Sequence, residues 1–116
     1  MNKVLVTLLL TLGITGVAQA AGDAKAGQTK AAMCGACHGA DGNSAAPNFP
    51  KLAGQGERYL LKQMNDIKSG NRTVLEMTGL LTNMSEQDMA DIAAYFASQS
   101  MSVGAADPAL VKAGEA

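Results

Sequence analysis

Cys34-Gly35-Ala36-Cys37-His38 decides how the rest of this chain is read. Two residues separate the thiols, and the only histidine of the chain follows at once. The pattern C-x-x-C-H marks covalent attachment of c-type haem. Two thiols can add across the two vinyl groups on one edge of a porphyrin. The adjacent imidazole then lies on one face of the ring, in reach of the iron. Gly35 and Ala36 have no bulk to obstruct that edge. Cys34 and Cys37 are therefore the expected thioether residues, and His38 the expected axial ligand of the iron.

Three rival uses of the cysteines are weaker. A thioredoxin-like dithiol sits at a strand-to-helix turn of a βαβ unit, and no β-branched strand run follows residue 20. A structural zinc site takes about four protein ligands, and this chain offers one histidine and two cysteines. A plain disulfide suits an exported protein but leaves His38 as coincidence.

Export is written in the N-terminus. Lys3 precedes an apolar run from Val4 to Val17, and Ala18-Gln19-Ala20 places small residues where a signal peptidase reads. That is the layout of a secretory signal. The run is shorter than the roughly 20 residues that span hydrocarbon. Residues 1–20 are expected to be a cleaved signal, which leaves 96 of the 116 residues and no transmembrane segment. The location follows as the periplasm, with loose association with the membrane surface left open. Without Lys3, 8 basic residues face 10 acidic ones and no basic stripe exists, so nucleic acid is not an expected partner. The aromatics are Phe49, Tyr59, Tyr95 and Phe96 alone, amid much Ala and Gly. Such a composition leaves an interior short of bulk, which a flat apolar cofactor would supply.

The rest reads as helix and loop. Asp23–Met33 is the first expected helix, rich in Ala and Lys. Gly39–Gly56 is a long loop, and loops of that length in small domains are usually functional. Glu57–Ser69 is the second helix, with Leu60, Met64 and Ile67 at helical spacing and Gly70 to end it. Ser85–Gln99 is the third: Ser85 caps it, Asp88 stands in for the capping-box acid, Met84 and Met89 form a staple, and Ile92, Ala93 and Phe96 make the buried stripe. A low-spin electron carrier needs a second axial ligand, and methionine opposite histidine raises the potential. Met77 lies in an aperiodic segment beside Thr78-Gly79, far in sequence from His38, and is the candidate, with Met84 next. Any of these methionines could instead fill core. The second ring nitrogen of His38 needs an acceptor, and the carbonyl of Pro47 or of Pro50 could supply it.

The run Cys34–Ser44, then Ala46–Gln55, Glu57–Gln63, Val74–Gly79 and Ser85–Phe96 resembles the class I c-type cytochromes, and among them the N-terminal domain of the dihaem cytochrome c4 family. The resemblance implies an all-α fold of three to four helices wrapped around one covalent haem c with its iron. It also implies Met77 as the second iron ligand and the first loop proline, Pro47, as the acceptor for His38. The expected role is a monomeric single-electron carrier of a respiratory chain and not an enzyme. A bc1-type complex is the implied donor and a haem-copper terminal oxidase the implied acceptor. Two other roles stay open: a five-coordinate haem that binds peroxide or a gas, and a fixed subunit of a larger complex. Residues 21–100 are then the haem domain. The tail, 101–116, departs from a one-domain pattern: Asp107–Glu115 echoes Asp23–Gln28 through Lys-Ala-Gly, as a linker into a missing second haem domain would.

Overall fold

The structure is a computed structural model that describes residues 21–115; the expected signal peptide, 1–20, lies outside them. Every regular element among the described residues is helical. Asp23 starts α1 (Ala24–Lys30) by accepting the backbone N–H groups of Lys25 and Ala26 at 2.8 and 3.1 Å, which satisfies donors that a helix start leaves free. The expected single helix to Met33 is corrected. It tightens into a 3-10 turn at Ala31–Met33 and re-forms as α2, the single turn Gly35–His38. Such tightening is a common way for a helix to end, and here it delivers the two thiols. α3 (Glu57–Ser69) follows the expected bounds and stops at Gly70, whose φ of 82° is open to glycine at little strain. α4 (Glu86–Ser98) begins with the full capping box: Ser85 Oγ accepts from Asp88 N, and Ser85 N donates to Asp88 Oδ2, both at 3.0 Å. Ser85 is the N-cap as expected, and Gln99, expected inside this helix, is its C-cap. A last helix, α5 (Pro108–Gly114), was not foreseen; Asp107 caps it as Asp23 caps α1.

The core is the crossing of α1 over α4. Phe96, Met89 and Ile92 are the largest side chains fully buried, and Ala31, Ala90, Ala93 and Ala94 fill the rest. Small residues let the two backbones touch. A Cβ on Gly27 would lie 1.9 Å from the Asp91 carbonyl oxygen, closer than any atom can come. The stripe Ile92, Ala93 and Phe96 is buried as its spacing predicts, and Leu60 of α3 packs against it.

One carboxylate is buried in this crossing. Asp91 is 3% exposed, and a buried charge must be paired and hydrogen-bonded. It accepts from Asp23 N at 2.8 Å, Gln87 Nε2 at 2.8 Å and Lys30 Nζ at 2.6 Å. Lys30 also reaches Asp88 at 2.8 Å. The Asp23 N–H and then the Lys30 ammonium hold the Asp91 carboxyl at about 2. Lys30 first, then Ser85, holds Asp88 at about 2. The two acids together push the Lys30 ammonium up from its ordinary value.

A polar clasp fixes the start of the tail. Asn43 donates to Ser100 O at 2.9 Å and accepts from Ser102 N at 2.7 Å and Ser102 Oγ at 3.0 Å, while Lys51 bonds the Ser102 carbonyl. Beyond it the chain is exposed through residue 115.

Candidate cofactor site

The segment 31–38 sets out the thiols. Cys34 N bonds Ala31 O at 2.9 Å, and His38 N bonds Cys34 O at 3.0 Å. Residues three apart share one side of a helical turn, so Cys34 and Cys37 face the same space. Both thiols are free. Burial pushes the Cys34 thiol up from its ordinary range, whereas Cys37 is exposed.

His38 is 8% exposed, and its Nδ1 lies 2.9 Å from the carbonyl oxygen of Pro50. A carbonyl can only accept, so Nδ1 carries a proton, and in the neutral ring the lone pair is then on Nε2. The expectation of Pro47 as that acceptor is corrected to Pro50. The reason is how the loop closes. Gly42 O accepts from both Leu52 N at 2.8 Å and Ala53 N at 3.2 Å, and this folds the chain back so that Pro50 returns to His38. Pro47 sits in the turn Ala46–Phe49, closed by Phe49 N to Ala46 O at 3.2 Å, and does not line the cavity. The ring of Phe49 meets that of His38 edge-on, centroids 6.3 Å apart at 65°.

Cys34, Cys37, His38 and Met77 line one cavity of about 250 Å³. It is also lined by Met64 and Ile67 of α3, by Leu80, Leu81 and Met84, and by Ile92, Ala93 and Phe96 of α4. Met77 closes the 3-10 turn Leu75–Met77, its N–H bonded to Val74 O at 3.0 Å. Met33, Met64 and Met84 share the same cavity. Met64 and Met84, read from sequence as core and staple, therefore also face it, while Met89 is fully buried and Met101 is 43% exposed. The donor set suits a haem: two free thiols and one imidazole in a turn, and the thioether of Met77 and apolar side chains on the same cavity.

Sequence reasoning missed several lining residues with polar heads, Gln63 and Arg72 among them. Gln63 was hidden inside a helical stripe. Arg72 stood in an aperiodic stretch with no spacing rule to point at it.

The family model described as Cytochrome c matches residues 24–100. Cytochrome c4 of Pseudomonas aeruginosa is 83% identical over 116 residues, covering 100% of this chain and 58% of that protein. Cytochrome c4 of Azotobacter vinelandii is 74% identical over 124 residues, covering 99% of this chain and 59% of that protein. Among solved structures, reduced recombinant cytochrome c4 from Pseudomonas stutzeri superimposes with a TM-score of 0.79 at 68% identity, over 82% of this chain and 55% of that one. The chain thus spans a little over half the length of these relatives.

Proposed function

Because this chain belongs to the cytochrome c family, and within it to the class I fold of cytochrome c4, with c-type haem as the family's cofactor, we propose that it is a periplasmic single-electron carrier of a respiratory chain. In this reading Cys34 and Cys37 hold the haem by thioether bonds, and His38 Nε2 and the sulfur of Met77 bind its iron. The observation that carries the reading is the sharing of one cavity by these four side chains, with the proton of His38 already placed on Nδ1 by Pro50. When bound, the haem supplies a one-electron couple between ferrous and ferric iron. The chain's own residues keep that couple closed to substrates. His38 is held in one orientation by the Pro50 carbonyl and by the edge of Phe49. Met77 would supply the second ligand, and its soft thioether would favour the ferrous state. Phe96, Ile92 and Ala93 line the cavity with buried apolar surface, which would exclude water and leave little to rearrange on electron transfer. The exposed turn at Ala36 and Cys37 leaves an edge for brief contacts with redox partners, of the small-interface kind.

A bc1-type donor and a haem-copper oxidase acceptor fit that role. A signal peptide at 1–20 and a tail at 101–116 that leads toward a second haem domain belong to the same proposal. The matching aspartate caps of α1 and α5 and the greater length of the relatives support the tail's role. No helix among the described residues is long and apolar enough to cross a membrane.

The test is the absorption spectrum of the oxidised holoprotein beside Met77→Leu and Met84→Leu. The weak long-wavelength band of a sulfur–iron bond is expected in the wild type and in Met84→Leu, and is lost in Met77→Leu. A high-spin wild type without the band would overturn the reading and point to an open site for peroxide or a gas.

A further inference from the structure

The tail that follows α4 is tied to the loop that serves His38. The Pro50 carbonyl that accepts from His38 Nδ1 at 2.9 Å belongs to an exposed residue, so packing within the protein does little to fix its direction. Bonds on either side of it have that task. Gly42 O closes the loop from one side through Leu52 N and Ala53 N. Ser102 closes it from the other. Asn43, next to Gly42, accepts from Ser102 N at 2.7 Å and from Ser102 Oγ at 3.0 Å. Its amide nitrogen donates to Ser100 O and to Asp41 Oδ2, both at 2.9 Å. A carboxamide has two donor hydrogens and two acceptor lone pairs, and here all four are in use. Lys51, next to Pro50, bonds the Ser102 carbonyl and, at 3.1 Å, Ser102 Oγ. The N–H, the hydroxyl and the carbonyl of Ser102 are thus all engaged, by residues on both arms of one loop. Asn43, Lys51 and Ser102 do not line the cavity.

We propose that Asn43 and Lys51 are positioning residues for His38 and act through Ser102: the tail straps the two arms of the loop together and holds the Pro50 carbonyl against Nδ1. In the haem-carrier reading, on which this rests, His38 binds the iron. An imidazole on a metal is oriented by what its second nitrogen bonds. Pro50 serves His38 only while its peptide keeps its direction, and the strap holds the next residue, Lys51. With the strap released, the arms part locally, Pro50 O leaves Nδ1 more often, and water takes its place. The chain beyond Ser102 is exposed through residue 115, so whatever draws the tail away acts on His38 through this clasp.

The experiment follows solvent exchange of the His38 Nδ1 proton by proton NMR of the ferrous holoprotein, with exchange of the α4 amides as the measure of global opening. Ser102→Pro removes the tail's N–H and hydroxyl and leaves the loop sequence intact. Asn43→Ala and Lys51→Met cut the strap from the two arms. Gly104→Pro is the control, because Gly104 is exposed and a Cβ there meets nothing within 4 Å. Ser102→Pro and Asn43→Ala are expected to speed exchange of the Nδ1 proton about tenfold, the order that an ordinary hydrogen bond contributes to an opening equilibrium, with the α4 amides unchanged. Lys51→Met should speed it by less, since a long flexible stem holds its partner less firmly, and Gly104→Pro should leave it as it is. Exchange at the wild-type rate in Ser102→Pro overturns the proposal, whatever Asn43→Ala does. So does an equal acceleration in Gly104→Pro, or a parallel acceleration of the α4 amides, which would make the effect one of global opening. Should Asn43→Ala fail to take up haem, Ser102→Pro decides alone. The sulfur–iron band of the wild type reports on Met77 and the carrier reading, whereas the Nδ1 proton reports on Pro50 and the strap, so the two ideas can fail independently.

Discussion

The α1–α4 crossing and the wall formed by α3 with residues 71–84 are built on opposite plans. At the crossing, backbone meets backbone, and a side chain at Gly27 would collide with the Asp91 carbonyl at 1.9 Å. On the wall, side chains face a cavity: Met64, Ile67, Met77 and Met84 are only half-buried, and Leu80 is 46% exposed. The crossing makes its contacts within the protein. The wall reserves its contacts for the cofactor, and its segment from 71 to 84 contains little regular structure beyond one 3-10 turn. A fold can thus keep one half tight and leave the other half shaped for a group that arrives by covalent bonding.

The sharpest way to break that contrast is at the glycines. Gly27→Ala forces backbone to move, so it should destabilise the holoprotein by about 3 kcal/mol, the upper end of overpacking effects, as read by denaturant unfolding. A loss under about 1 kcal/mol would mean that the crossing is looser than its geometry. Acid probes the polar side of the same crossing. Asp88 and Asp91 have folded values of about 2 against an ordinary 3.8. A carboxyl lowered in this way stabilises the fold above the unfolded value and ceases to do so as pH falls through the folded one. Wild-type stability should therefore fall between about pH 4 and pH 2. Asp91→Asn, less stable at neutral pH, should lose less over the same range, with Asp88 still titrating, and an unchanged acid slope would show that the clamp does not set it. The smallest effect belongs to the other region. A Cβ at Gly70 would meet nothing within 4 Å, so Gly70→Ala should cost only the left-handed backbone, about 1 to 2 kcal/mol. Equal losses at Gly27 and Gly70 would erase the distinction.

Local chemistry was legible in the sequence wherever neighbours in the chain are neighbours in space. Ser85 and Asp88 bond each other across one turn. Leu60, Ile92 and Phe96 are buried as their period requires. The break after Lys30 was not legible, because alanines at 31 and 32 are as good in α-helix as in a tighter turn. The helix at 108–114 shows in the sequence only as the short Lys-Ala-Gly echo of α1, too brief to show a period.

The chain by itself determined the donor set proposed for the cofactor: two thiols and an imidazole stand within five residues however the remainder folds. It also determined where α4 begins, because the cap made by Ser85 and Asp88 is local. Tertiary structure alone decided which proline serves His38, which methionines share the cavity with it, and that Arg72 stands in its wall. Those choices depend on how a long loop closes over Gly42 and how α3 packs on α4, and contacts between residues so far apart leave no spacing in the sequence to be read.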